Sequence, residues 1–167
     1  MLDDETLYRQ VLQGNKAALV ELVRRYHAPL YNFLCRYTGD VALADDLTQE
    51  TFTRLLTYQG APPMHFKSWA YAVARNLARD HFKSARYRHE HAADVEEETA
   101  VFFDDTDFAA DDRDAVIQAL AKLSPDHREV LILRFYHDLK LDEIAEVTHT
   151  PVGTVKSRLF HALKQMK

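Results

Sequence analysis

Residues 141–163 read LDEIAEVTHTPVGTVKSRLFHAL, and the spacing in this stretch decides the fold. Leu141, Ile144, Ala145 and Val147 fall on one face of a short helix, His149-Thr150-Pro151 interrupts it, and Val152, Val155 and Leu159 line one face of a second helix. Two short helices about a tight break make a helix-turn-helix. Ala145 is small where two crossing helices must approach, Thr150 is placed to cap the second helix, and Pro151 suits its first turn. That helix exposes Thr154, Lys156, Ser157, Arg158 and His161, donors for phosphates and base edges in a major groove. An ordinary helical hairpin with a solvated basic face is the plain alternative.

Upstream, Ser124-Pro125-Asp126 is a helix start: a capping hydroxyl, proline at the first helical position and an acid near the positive end of the dipole. Val116, Ile117, Leu120 and Leu123 precede it at helical spacing, and Val130, Leu131, Leu133 and Phe135 follow. In the first half Leu19, Leu22, Val23, Tyr26, Leu30, Phe33, Leu34 and Tyr37 keep one face apolar. Asn15 and Asp40 are placed as caps, Gly39 as a helix terminator, and Pro29 is expected to kink or split the long helix. Gln59-Gly60-Ala61-Pro62-Pro63 is a loop, and a helix is expected from about Lys67 to Arg88. No strand alternation persists. The expectation is an all-α chain of two small helical domains, 1–92 and 113–167, joined by an acidic flexible linker, 93–112.

Composition limits the function. The 167 residues include 21 Lys+Arg and 26 Asp+Glu, a net charge of -5 that looks wrong for a nucleic-acid binder until it is divided along the chain. Residues 1–89 hold 12 basic and 9 acidic side chains, residues 90–114 hold 1 and 11, and residues 115–167 hold 8 and 6. Two mildly basic ends therefore flank an acidic strip, and local patches set the electrostatic footprint. Within that strip Val101, Phe102, Phe103 and Phe108 are candidate anchors to a partner. The single cysteine, Cys35, excludes an internal disulfide framework and a cysteine-based zinc finger. No apolar run of membrane-spanning length occurs, so no membrane insertion is expected. Asp3, Asp4 and Glu5 stand where a secretory signal carries basic residues, so a cytoplasmic protein is expected.

Three segments together resemble bacterial RNA polymerase sigma factors of the extracytoplasmic-function group in the sigma-70 family. Leu123-Ser124-Pro125-Asp126-His127-Arg128-Glu129-Val130, with Leu141–Ala145 and Gly153–Leu159, is similar to their promoter-reading C-terminal domain. Asp45-Asp46-Leu47-Thr48-Gln49-Glu50-Thr51-Phe52 is similar to their polymerase-binding helix, and Phe66–Asn76 to their promoter-melting helix. The resemblance implies a sigma factor without catalytic chemistry, metal or cofactor. Its implied partners are promoter DNA, core RNA polymerase, through the clamp coiled coil of the largest subunit and the flap of the second-largest, and an anti-sigma factor. It assigns Asp45, Asp46, Gln49, Glu50 and Phe52 to core polymerase. Tyr58, Gln59, His65, Lys67, Arg75, Asn76, Arg79 and Lys83 fall to the −10 element, the Tyr58–His65 loop taking up a flipped base while Arg75, Asn76, Arg79 and Lys83 contact the backbone. Arg134, Thr154, Lys156, Ser157, Arg158 and His161 fall to the −35 element. The acidic linker would thread the polymerase channels and, in the free protein, shield the DNA-binding faces.

Residue chemistry suits these roles. A face with three carboxylates beside an apolar ridge complements a basic coiled coil. The 67–88 helix mixes Trp69, Tyr71, Phe82 and Tyr87 with six basic residues, the combination that holds single strands by phosphate contact and stacking, although core packing is the favoured role for Trp69. There are departures: His149 stands in a turn that commonly carries glycine and His161 where relatives often carry arginine; with Lys167 soon after that helix, no C-terminal sensor domain is expected. Rival readings are a stand-alone helix-turn-helix regulator, a protein that sequesters polymerase, and an enzyme with a metal held by His81, His89 and His91. The histidine spacing supports the last of these weakly.

Overall fold

The computed structural model describes residues 1–91 and 110–166, with side chains placed for 1–85 and 115–166. The acidic linker and its phenylalanine anchors lie largely outside the described residues. Among those described, all regular structure is helical: α1 (Asp4–Leu12), α2 (Lys16–Thr38), α3 (Val41–Thr57), α4 (Phe66–His91), α5 (Ala110–Ala121), α6 (Pro125–Phe135), α7 (Leu141–Thr148) and α8 (Val152–Gln165). None of these helices is long and apolar enough to cross a membrane.

The caps fall where short polar side chains precede apolar periods. Asn15 accepts from the Ala18 amide, Asp40 from that of Leu43 and Ser124 from that of His127, and Gly39 closes α2 at φ 71°. Pro29 does not split α2, which runs unbroken through it. A proline forgoes one backbone bond, and the buried ridge on either side of it, Leu22, Tyr26, Leu30, Phe33 and Leu34, holds the helix together. Thr150 does not cap α8: its hydroxyl bonds that of Thr148, and the carbonyl of Pro151 instead accepts from the Thr154 and Val155 amides.

Helix α1 was not anticipated, and it uses the acids read as counting against a signal segment. Asp3 caps it through the Thr6 amide, Asp4 bonds Tyr26 and pairs with Arg25, and Glu5 accepts from the Phe66 amide at 3.0 Å, capping the start of α4. Leu7 and Tyr8 on α1 are buried, and the Tyr8 hydroxyl donates to the Leu55 carbonyl at 2.6 Å. In α3 the hydroxyls of Thr48 and Thr51 are buried and satisfied by their own helix, on the carbonyls of Ala44 and Leu47.

The first four helices close over Leu22, Leu30, Phe33, Leu55, Phe66 and Ala74. The last four close over Leu120, Leu123, Val130, Ile132, Leu139, Ile144, Val155 and Leu159. Each leucine or isoleucine fully buried in this way contributes roughly 1.5–3 kcal/mol. The two halves touch: α2 lies against α6, and α4 lies against α7.

Candidate nucleic-acid and polymerase interface

Helix α3 divides cleanly. Ala44, Thr48, Thr51 and Leu55 face the core, while Asp45, Asp46, Gln49 and Glu50 lie on the opposite side. Gln49 leans to Asp45 at 3.5 Å, and Glu50 pairs with Arg54 at 3.2 Å, an exposed pair of small energetic consequence. Phe52 is half-buried, its ring stacked near-parallel to that of His27. The result is a solvent-facing acidic strip with one aromatic at its edge.

The loop before α4 presents Tyr58, 41% exposed, with Gln59 and His65 also exposed. The Tyr58 ring stands 5.0 Å from that of Trp69 and folds over Gly60, where a Cβ would meet the Tyr58 hydroxyl at 2.2 Å. Trp69 is half-buried against Tyr8 and Phe66, so its inner side is core, as its helical spacing favoured, and its outer side meets Tyr58. Met64, His65 and Trp69 line an open cleft of about 240 Å³ whose other wall is Glu146 and His149 of the helix-turn-helix.

The polar residues of α4 assigned to the −10 element separate into two groups. Asn76 and Lys83 are exposed. Arg75 and Arg79 are held by acids of α6, a pairing that no local pattern in the chain foretells. Glu129, wholly buried, accepts from Arg75 Nε at 3.0 Å and Nη2 at 2.9 Å, from the Tyr37 hydroxyl at 2.6 Å and from Arg79 Nη1 at 3.3 Å. Asp126 accepts from Arg79 at 2.8 Å and stands 3.7 Å from Arg158. Lys67 pairs with Glu143 at 3.4 Å, and His65 lies 3.1 Å from Glu146. Burial, the largest single influence on Arg79, works against its charge, but Glu129, Tyr37 and Asp126 together outweigh it and the pKa is raised. Burial, followed by Glu129, raises that of Tyr37, whose hydroxyl keeps its proton. The Asp126 carboxyl is lowered: partial burial, the largest single influence, opposes this, and the bond from Arg79 together with the charges of Arg158, Arg79 and Arg75 outweighs it.

Two further contacts complete the seam. Arg36 lies over the Tyr136 ring at 4.2 Å, and the His137 ring sits edge-on to Phe33 and Tyr71 and bonds the Tyr71 hydroxyl at 3.0 Å. Burial, aided by the charges of Arg36 and Lys67, lowers His137 to about 4, so it is neutral at pH 7.

In the helix-turn-helix, His149 takes the left-handed conformation at φ 54°, ψ 41°, and its amide closes α7 on the Ala145 carbonyl. Val155, Leu159 and Ala162 bury the inner face of α8, leaving Lys156, Ser157 and His161 exposed and Thr154 and Arg158 half-exposed. Arg134 is exposed, but one guanidinium nitrogen bonds the Leu139 carbonyl and braces the turn into α7. Phe160, 64% exposed, adds an apolar element beside His161. Among the described residues no cluster of His, Cys, Asp and Glu could hold a metal ion.

Residues 22–88 match the family Sigma-70 region 2, and residues 113–166 match Sigma-70, region 4. RNA polymerase sigma-H factor of Pseudomonas aeruginosa is 32% identical over 95% of this chain and 89% of its own length. The sigma factor SigL of Mycobacterium tuberculosis is 34% identical over 91% of this chain and 89% of its own. The sigma factor BldN of Streptomyces coelicolor is 30% identical over 96% of this chain, which spans 63% of that longer protein. Among solved structures, CnrH in complex with the cytosolic domain of CnrY aligns with a TM-score of 0.72 over 98% of this chain and 94% of its own, at 23% identity. The sigma factor RpoE of Bartonella quintana, in complex with the anti-sigma factor NepR, aligns with a TM-score of 0.73 over 89% of this chain and 93% of its own, at 20% identity.

Proposed function

The chain belongs to the sigma-70 family of RNA polymerase sigma factors, in its extracytoplasmic-function group, and from that premise we propose that it binds core polymerase through α3, reads a −35 element through α8 and opens a −10 element with α4 and the loop before it. Sigma factors are non-catalytic subunits of RNA polymerase, so the chain's own residues bind and orient rather than react.

The observation that carries this reading is the division of α8. Val155, Leu159 and Ala162 are fixed in the core while Lys156, Ser157 and His161 stand clear of it on a two-turn face, the form in which a recognition helix enters a major groove. Lys156 and Arg158 supply charge for phosphates, and Ser157 and Thr154 supply hydroxyls for base edges. The acidic strip of α3 complements a basic coiled coil, the form of the clamp element proposed as its partner. The Tyr58–His65 loop, with Trp69 behind it, offers stacking surface to an unstacked base, whose capture offsets the cost of opening the duplex. The exposed Phe160 and Leu163 give the polymerase flap an apolar face, and the paired domains give an anti-sigma factor two surfaces to clamp.

The test is run-off transcription with purified core polymerase and a promoter library, using the intact chain and Lys156→Ala/Arg158→Ala. Transcripts that require the chain and weaken with the double change are expected. Core binding without transcripts would indicate a sequestering protein, and promoter binding without any affinity for core would indicate a stand-alone regulator.

A further inference from the structure

Three side chains of the recognition helix lean on the first turn of α6. Arg158, His161 and Gln165 recur at steps of three and four residues and so share one stripe of α8. Asp126 Oδ2 lies 3.7 Å from the Arg158 guanidinium. The next residue, His127, sets its ring at 25° to that of His161, with centroids 6.3 Å apart, and its Nδ1 lies 3.4 Å from Gln165 Oε1. An amide oxygen only accepts, so the hydrogen of that bond sits on His127 Nδ1. Phe160 meets the same His161 ring edge-on at 5.5 Å. His161 is thus exposed, yet flanked by two aromatic rings, one of them tied to α8 at a second point.

That placement bears on what the imidazole can do. A phosphate is met by a long, freely moving ammonium such as that of Lys156, whereas a base edge needs a donor held in one direction. The two nitrogens of an imidazole point apart, so only one of them addresses a base at a time. In the major groove guanine shows N7 and O6 as acceptors, and adenine shows N7 beside its N6 donor. A guanidinium fork takes both guanine acceptors together. One imidazole N–H takes N7 alone, and both purines carry N7.

We propose that His161 reads a purine, rather than guanine alone, at one base pair of the −35 element, and that His127 is the positioning residue that aims it. This rests on the assignment of α8 to that element. Specificity at that base pair is then shared between the recognition helix and a residue of α6 that itself touches no base.

The test uses holoenzyme assembled from core polymerase and the full chain. A template that the wild-type chain transcribes is randomised over its −35 element, each copy carrying a barcode in the transcribed part, and the run-off transcripts are sequenced. Wild type should accept A and G nearly equally at one position and favour them about fivefold over pyrimidines, the lower end of what a base contact gives. His161→Arg should narrow that position to guanine, and His161→Ala should flatten it while the other positions keep their preferences. His127→Ala should flatten the same position, and His127→Phe, which keeps a ring beside His161 without the Gln165 bond, should restore most of the preference. Lys156→Ala should lower all templates alike, as loss of a phosphate contact does. Should His127→Ala not fold, His127→Gln removes the ring while keeping a donor for Gln165 and takes its place. Base preferences that are the same in wild type, His161→Ala and His161→Arg would overturn the reading of His161, and a purine preference that survives removal of the His127 ring would overturn the role of His127. Either result leaves the initiation role standing. A wild-type chain that transcribes no template from a fully random promoter library would instead sink the initiation role, and this inference with it.

Discussion

Tyr37→Phe removes one oxygen and leaves the ring in place, which isolates the hydroxyl's hold on Glu129. That hydroxyl is buried, donates to the carboxylate at 2.6 Å and accepts from Arg79 at 3.4 Å. Hydrogen bonds to charged groups contribute about 1.5–3 kcal/mol, and a buried carboxylate that loses one donor is left with part of its desolvation uncompensated. Two guanidinium bonds from Arg75 remain, so the lower half of that range, about 2 kcal/mol, is expected. With a urea slope of roughly 1–3 kcal/mol per molar, the midpoint should fall by about 1 M. The assay is equilibrium urea unfolding followed by the fluorescence of Trp69, the single tryptophan, which lies in the N-terminal half, with far-ultraviolet circular dichroism as the second probe. Pairing the change with Glu129→Gln should give much less than the sum of the two single effects, because each removes the same contact. A midpoint within 0.2 M of wild type (on the order of 0.3 kcal/mol by the same slope), or full additivity in the double variant, would refute the view that this carboxylate depends on Tyr37.

Other outcomes follow from the same geometry. His137 has a folded pKa below its ordinary 6.5, so its contribution is complete above pH 6.5 and is lost as pH falls to about 4, an effect of up to roughly 3 kcal/mol; urea midpoints across that window should show the slope, and His137→Gln should flatten it. The lowered Asp126 carboxyl acts in the same direction further down, its contribution present above 3.8 and lost below it. Asp45→Asn/Glu50→Gln should weaken core polymerase binding about tenfold, a loss of about 1.4 kcal/mol, without moving the thermal midpoint, as read by fluorescence anisotropy and melting. His149→Gly should stabilise the C-terminal domain by about 0.5–1 kcal/mol, since φ 54° strains a residue bearing a Cβ and glycine carries no such penalty there; thermal melting of the full chain checks it.

The helical identity of the chain and the helix-turn-helix were legible because apolar period, caps and punctuation agree at Asn15, Gly39, Asp40 and Ser124. The exposed face of α3 was legible for the same reason, since Leu47, Thr51 and Leu55 leave the acids on the other side. Helix α1 was missed because its acids were weighed against a targeting signal rather than as an N-terminal turn; the i, i+4 pair of Leu7 and Val11 was the available signal. Proline at 29 and threonine at 150 were given their usual local roles, which tertiary packing and the Pro151 carbonyl overrode. The seam was illegible for a different reason. Nothing local distinguishes Glu129 from a solvated acid on α6, and its partners Tyr37 and Arg75 lie 92 and 54 residues away.

The Tyr58 ring resting on Trp69 over Gly60 has a kinetic consequence. A base entering the loop, as proposed, finds the Trp69 face already covered by a tilted aromatic ring, and so displaces one ring contact instead of filling an empty site. Such an exchange changes little in enthalpy, and its barrier is set by how readily the loop swings Tyr58 aside. Any side chain at position 60 would collide with the Tyr58 hydroxyl and drive the ring away. Under the proposed role of this loop, Gly60 would tune the waiting time for strand capture rather than its strength, and promoters that differ only in the flipped base should differ more in lifetime than in speed of opening.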